Sequence, residues 1–238
     1  MISFFKTIVY VPLYNALVLI LGILPVADIG VAVIVLTALV KVVLYPLAKK
    51  TSITQLQMRQ HQPELDEIRE KYKEREVQAQ KIMEFYKKYK INPFSSFLTI
   101  LIQIPIIYSL YYIFTQSGFP TVNLDILYSF VKAPELISTQ FLGLFDIASR
   151  NIFLALFAAV TSYFQMKIAS PAPLPGGKSG KDDLSKIMMT QMKFVLPIIV
   201  FFVSWRISGV VALYWSVSNL FTIAQDLWIK KKMESRTI

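Results

Sequence analysis

Few residues in this chain could do chemistry, and their spacing narrows what that chemistry is. Lys41 stands alone in an apolar run from Ile29 to Leu47, long enough to cross a bilayer. A cation at such depth costs about 2.5–3.5 kcal/mol on insertion scales, so it normally has a task there. The alternative is a lysine that snorkels: Lys49 lies eight residues on, roughly 12 Å at helical rise, so the ammonium could reach the interface. His61 is the only histidine and there is no cysteine. Disulfides, thiol catalysis and Cys- or His-rich metal sites are excluded, and no cofactor is expected. The apolar runs hold no carboxylate pair, histidine or cysteine, which argues against an intramembrane enzyme. Gly177-Lys178-Ser179 resembles the end of a phosphate-binding loop. However, Ala172 occupies the earlier glycine position and no strand precedes it, so it reads as part of a Pro/Gly loop, Ser170–Asp183.

The elements that must position Lys41 are apolar helices. The chain of 238 residues is 55% hydrophobic with a net charge of +10, too apolar for an ordinary soluble domain. Five runs read as membrane spans: Ile29–Leu47, Phe94–Thr115, Asn151–Ile168, Ile187–Val203 and Gly209–Ile229. The fold class expected is all-α and polytopic. Basic residues cluster in segment 48–92, in loop 169–186 and in the tail 230–238, while the alternate loop 116–150 has only Lys132 and Arg150. The positive-inside rule then places the 48–92 segment, the 169–186 loop and the C-terminus in the cytoplasm. The pattern gives no sign of sequence-specific nucleic-acid binding.

Segment 48–92 reads as a helical hairpin. Ile53, Leu56, Leu65, Ile68 and Tyr72 follow helical spacing in one arm, and Ile82, Phe85 or Tyr86, and Tyr89 in the other, with the turn near Lys73–Glu76. Pro63 is expected to kink the first arm, and Asn92-Pro93 to cap the second span. Residues 1–28 read as an N-terminal interfacial helix on the outer leaflet, with Pro12 interrupting the run, or as a sixth span. Pro105 and Pro197 are expected to bend their helices.

Several segments, in order, resemble the YidC/Oxa/Alb membrane protein insertases. They are Leu36-Thr37-Ala38-Leu39-Val40-Lys41-Val42-Val43-Leu44-Tyr45-Pro46-Leu47, Gln62-Pro63-Glu64-Leu65, Asn92-Pro93-Phe94, Leu101-Ile102-Gln103-Ile104-Pro105-Ile106 with Leu110-Tyr111-Tyr112, and Ser208 to Leu220. The resemblance, to the bacterial type without a large outer domain, implies a five-helix core around a hydrophilic groove. That groove is open to the cytoplasm and closed on the outer side of the cell (inner) membrane. It implies no enzymatic step: a positive groove residue attracts the acidic part of a nascent membrane protein, and the hydrophobic segment slides into lipid. It further implies groove roles for Lys41, Thr37, Gln103, Tyr214 and Trp215, and hairpin contacts with the ribosome and the Sec translocon. The family usually has arginine where Lys41 stands; lysine keeps the charge and loses the planar donor fork.

Bland readings stand beside these roles. Gln103, Thr161, Ser162, Asn219 and Thr222 could be helix–helix hydrogen-bonding groups, and Tyr214 and Trp215 an aromatic belt. Asp226 is a partner for Lys41 or an interfacial residue. A rival function, a small transporter or channel using Lys41 as a substrate or proton site, predicts inverted repeats or several intramembrane ionisable groups, and the sequence has neither.

Overall fold

The computed structural model describes residues 5–92, 95–117, 119–169 and 182–235. The chain is 76% helical, as expected for an all-α protein. Pro93, Phe94 and most of the Ser170–Asp183 loop lie outside the described residues. Helix α1 (Val11–Ile23) follows a π-helical turn, Lys6–Tyr10, without a break. Pro12 therefore does not interrupt the run. It falls in the first turn of α1, where its missing N–H is tolerated.

Helix α2 (Ile29–Val43) starts at Asp28, whose Oδ1 accepts from the N–H groups of Gly30 (2.7 Å) and Val31 (3.1 Å). This cap satisfies two orphan donors of the first turn. The first apolar run ends earlier than its composition suggests. The chain breaks at Leu44 and bends by 67° into α3 (Tyr45–Gln60), with Pro46 in the first turn of the new helix. A second break at His61 leads into α4 (Gln62–Lys71), so Pro63 starts a helix instead of kinking one. Helix α5 (Arg75–Lys88) folds back after a three-residue turn. Met58, Leu65, Phe85, Tyr86 and Ile91 form a small separate core between these arms.

Helices α6 (Ser95–Thr115), α7 (Ile152–Ala169), α8 (Asp182–Ile207) and α9 (Gly209–Glu234) complete the bundle. Pro105 and Pro197 lie inside unbroken helices. Among the described residues, Lys6–Ile23 is by itself long and apolar enough to cross a membrane, and the bent pair α2–α3 passes together. Leu101–Thr115, Ile152–Ile168 and Phe194–Ile207 are shorter apolar stretches. Phe153, Phe157 and Phe164 of α7 and Phe194, Ile198 and Phe202 of α8 are exposed, a surface suited to lipid.

The 116–150 connection is folded. It carries a two-stranded antiparallel ladder, β1 (Gln140–Phe141) with β2 (Phe145–Asp146), and ties three helix ends together. Asn15 of α1 donates to Ile126 O (2.9 Å) and accepts from Tyr128 N (2.6 Å). Asp28 Oδ2 accepts from Leu142 N (2.7 Å), and Phe141 lies on Gly30 of α2. Gly209 and Val210 of α9 donate to Ser149 O and Ile147 O. The main core sits at this end: Tyr14, Leu17, Leu21, Ile29, Ile113 and Val210 are almost fully buried.

Candidate functional site

Lys41 lies in the last turn of α2, far from the folded loop and next to the bend at Leu44. Its Nζ donates to Thr222 Oγ1 of α9 at 2.9 Å, and the side chain is half-buried. Among the described residues no carboxylate lies within ion-pair distance of it. A hydroxyl therefore holds the ammonium, which has three donors to offer.

Helix α9 carries the matching polar seam. Tyr214, Ser218, Thr222 and Asp226 recur every four residues, which keeps them near one face over roughly 18 Å. Tyr214, Thr222 and Asp226 are each joined to a different helix. Gln103 of α6 donates to the Tyr214 hydroxyl, which also contacts Ser218. Thr222 donates to Ser218 O (2.9 Å) while accepting from Lys41. Asp226 accepts from Ser52 of α3. On the adjacent face Asn219 donates to Thr161 (3.2 Å) and Ser162 (2.8 Å) of α7, a buried cluster of the helix–helix type. At the hairpin end, a cleft lined by Ser52, Gln55, Arg59, Asp226 and Lys230 opens between α3 and α9.

The structure thus brings Gln103 to Tyr214 and Lys41 to Thr222 along a single helix. Thr37 is buried, and its hydroxyl donates to Val33 O (2.6 Å) of its own helix. Trp215 is half-buried against the main core. Sequence reasoning noticed Thr222 without giving it to Lys41, and did not pair Asp226 with Ser52. The four-residue spacing of the α9 seam marks Thr222 and Asp226 as sharing a face, but it does not say which partner each takes.

Residues 23–236 match the family described as 60Kd inner membrane protein. The chain belongs to that family. Its similar relatives include proteins named Membrane protein insertase YidC. The one from Clostridium tetani is 31% identical over 87% of this chain and 83% of its own length. Those from Haemophilus influenzae and Pasteurella multocida are 33% and 34% identical over 94% and 87% of this chain. This chain spans only 37% and 34% of their lengths. Membership in the family makes the chain a membrane protein, and the Lys41 seam is the polar feature such a bundle has to accommodate.

Proposed function

We propose that this chain is a membrane protein insertase that passes the polar part of a nascent membrane protein along the seam of Lys41, Gln103, Tyr214 and Thr222, with Thr37 and Trp215 forming its walls. The observation that carries this reading is the cation of an otherwise apolar α2 held by a neutral hydroxyl of α9. A charge without a fixed carboxylate remains available to the carboxylates of a client. Family membership and the shared name of the relatives support the same conclusion. Insertion breaks no covalent bond. The protein lowers the cost of moving polar chain through hydrocarbon by supplying polar partners at depth.

In the orientation we propose, the α3–α5 hairpin and the C-terminus face the cytoplasm and the folded 116–150 loop faces out. The charge distribution supports it. Helix α1 then lies across the outer end of a five-span core. In support, Phe5 packs on Tyr108 and Tyr10 on Tyr112, in the final two turns of α6, while the end of α1 leads directly to Asp28. The hairpin is the surface proposed to meet the ribosome and the Sec translocon.

The test is reconstitution of the chain into liposomes with a single-span client bearing a short acidic tail, scoring protease protection of that tail. Lys41→Ala is expected to reduce protection severalfold and Lys41→Arg to retain it. Full activity of Lys41→Ala with every acidic-tailed client would sink this mechanism.

A further inference from the structure

Asp226 is the only acidic residue between Gly209 and Ile229. A carboxylate on an apolar helix is costly unless something answers its charge. Here it sits one turn beyond Thr222, the residue that holds Lys41, and its Oδ1 accepts from the Ser52 hydroxyl. Two cations lie within Coulombic reach, Arg59 and Lys41, yet among the described residues neither is within ion-pair distance of it. Arg59 donates to the Ile168 carbonyl at the end of α7, and its Nε is buried without a partner. Lys230 lines the same cleft. One carboxylate, tethered by a serine, thus stands near Arg59 and Lys41 without an ion pair to either.

We infer that Asp226 is the internal counter-ion of the groove, standing in for the client's carboxylate when the groove is empty and setting how strongly insertion depends on the client's acidic charge. This role presupposes the insertion reading above. A fixed negative charge lowers the positive potential that an entering tail meets, and low dielectric magnifies the effect. An acidic tail must compete with Asp226 for Arg59 and Lys41, while a neutral tail need not. Asp226 is therefore a positioning residue for charge selectivity. The Ser52 hydrogen bond keeps it from collapsing onto a cation and silencing the site.

The experiment uses the full chain in liposomes and single-span clients with tails of equal length bearing zero, one, two or three aspartates. Protease-protected tail is normalised to reconstituted protein. Asp226→Asn keeps an acceptor for Ser52 and removes the charge. It is expected to raise the ratio of three-aspartate to zero-aspartate insertion by about threefold or more, and high salt should shrink that gain. Asp226→Ser, a second neutral variant, should agree, and Asp226→Glu should keep the wild-type ratio. An unchanged ratio in both neutral variants, or an equal loss for all tails, would overturn the counter-ion role and leave Asp226 as a joint between α9 and α3. If Lys41→Ala also leaves every tail inserted, the insertion reading itself fails. If Lys41→Ala impairs acidic tails while Asp226→Asn leaves the ratio flat, only the counter-ion role fails.

Discussion

At the residue scale, the polar groups of this bundle divide into those that hold helices together and those that stay available. Asn219 belongs to the first kind. Its amide is buried and gives both observed bonds to Thr161 and Ser162. Asn219→Leu should lower the thermal unfolding temperature in detergent, with a cost of roughly 0.6–1.7 kcal/mol, from the average to the largest value measured for membrane hydrogen bonds. No loss, or a gain, would show that α7 and α9 pack equally well without the amide. In the hairpin, Glu64 accepts from Lys88 (2.8 Å) and from the Tyr89 hydroxyl. The Lys88 hydrogen bond, then that of Tyr89, holds the Glu64 carboxyl below its usual range, and Glu64 pushes Lys88 up to about 12. A depressed carboxyl contributes stability that is lost as pH falls through its folded value. A raised lysine contributes stability that is lost only as pH rises through about 12. Hairpin protection in hydrogen exchange, corrected for intrinsic rates, should therefore be flat from about pH 6 to 9 and should fall in acid. Because Lys88 is exposed and Glu64 only half-buried, the acid effect should be small.

At the element scale, the helices were legible and their joints were not. Apolar runs and capping residues locate α2, α6, α7 and α9 to within a few residues, since hydrophobic length and periodicity act locally. The bend at Leu44 was not legible. Tyr45-Pro46 marks a boundary, but only the packing of α3 against α6 and α9 sets its 67° angle. The folded 116–150 loop was hidden too. Its ladder is two residues per strand, and its order comes from Asp28, Asn15 and Gly30, which lie about a hundred residues away in sequence. For the site, Lys41 and Gln103 stood out because they are polar in apolar runs, whereas the choice of Thr222 over Asp226 as the direct partner depends on a register between helices that no local pattern encodes. Gly30 offers a direct test of the loop's grip. A Cβ there would collide with the Phe141 ring, near its root as well as its edge. Gly30→Ala should destabilise the protein by about 1–3 kcal/mol, the usual cost of overpacking. Phe141→Ala in the same chain should recover part of that loss. Additive losses in the double variant would mean that the ring does not rest on α2.

At the scale of the whole molecule, the two ends of the bundle differ in kind. The end near the folded loop is an apolar core, closed by α1, by the strap over α2 and by the carbonyls that receive the first N–H groups of α9. Toward the hairpin, by contrast, side-chain hydrogen bonds join α2 and α3 to α9, Lys41 to Thr222 and Ser52 to Asp226, beside the ring contact of Tyr45 with Trp228. Buried apolar packing is hard to open, while a few exposed or half-exposed polar links open locally at small cost. In the function proposed above, such a bundle would admit a chain from the hairpin end and stay closed to ions at the other. The absence of cysteine makes this testable with single substitutions. A cysteine at Gln103, half-buried on the seam, should react with a membrane-impermeant thiol reagent from the cytoplasmic side of inverted vesicles and stay unlabelled in intact cells. A cysteine at Leu136, 86% exposed on the folded loop, should do the opposite, and one at buried Thr37 should react slowly from either side. Labelling of the Gln103 position from the outer side alone would invert the orientation. Labelling from both sides would mean a continuous aqueous path and would favour a channel over an insertase.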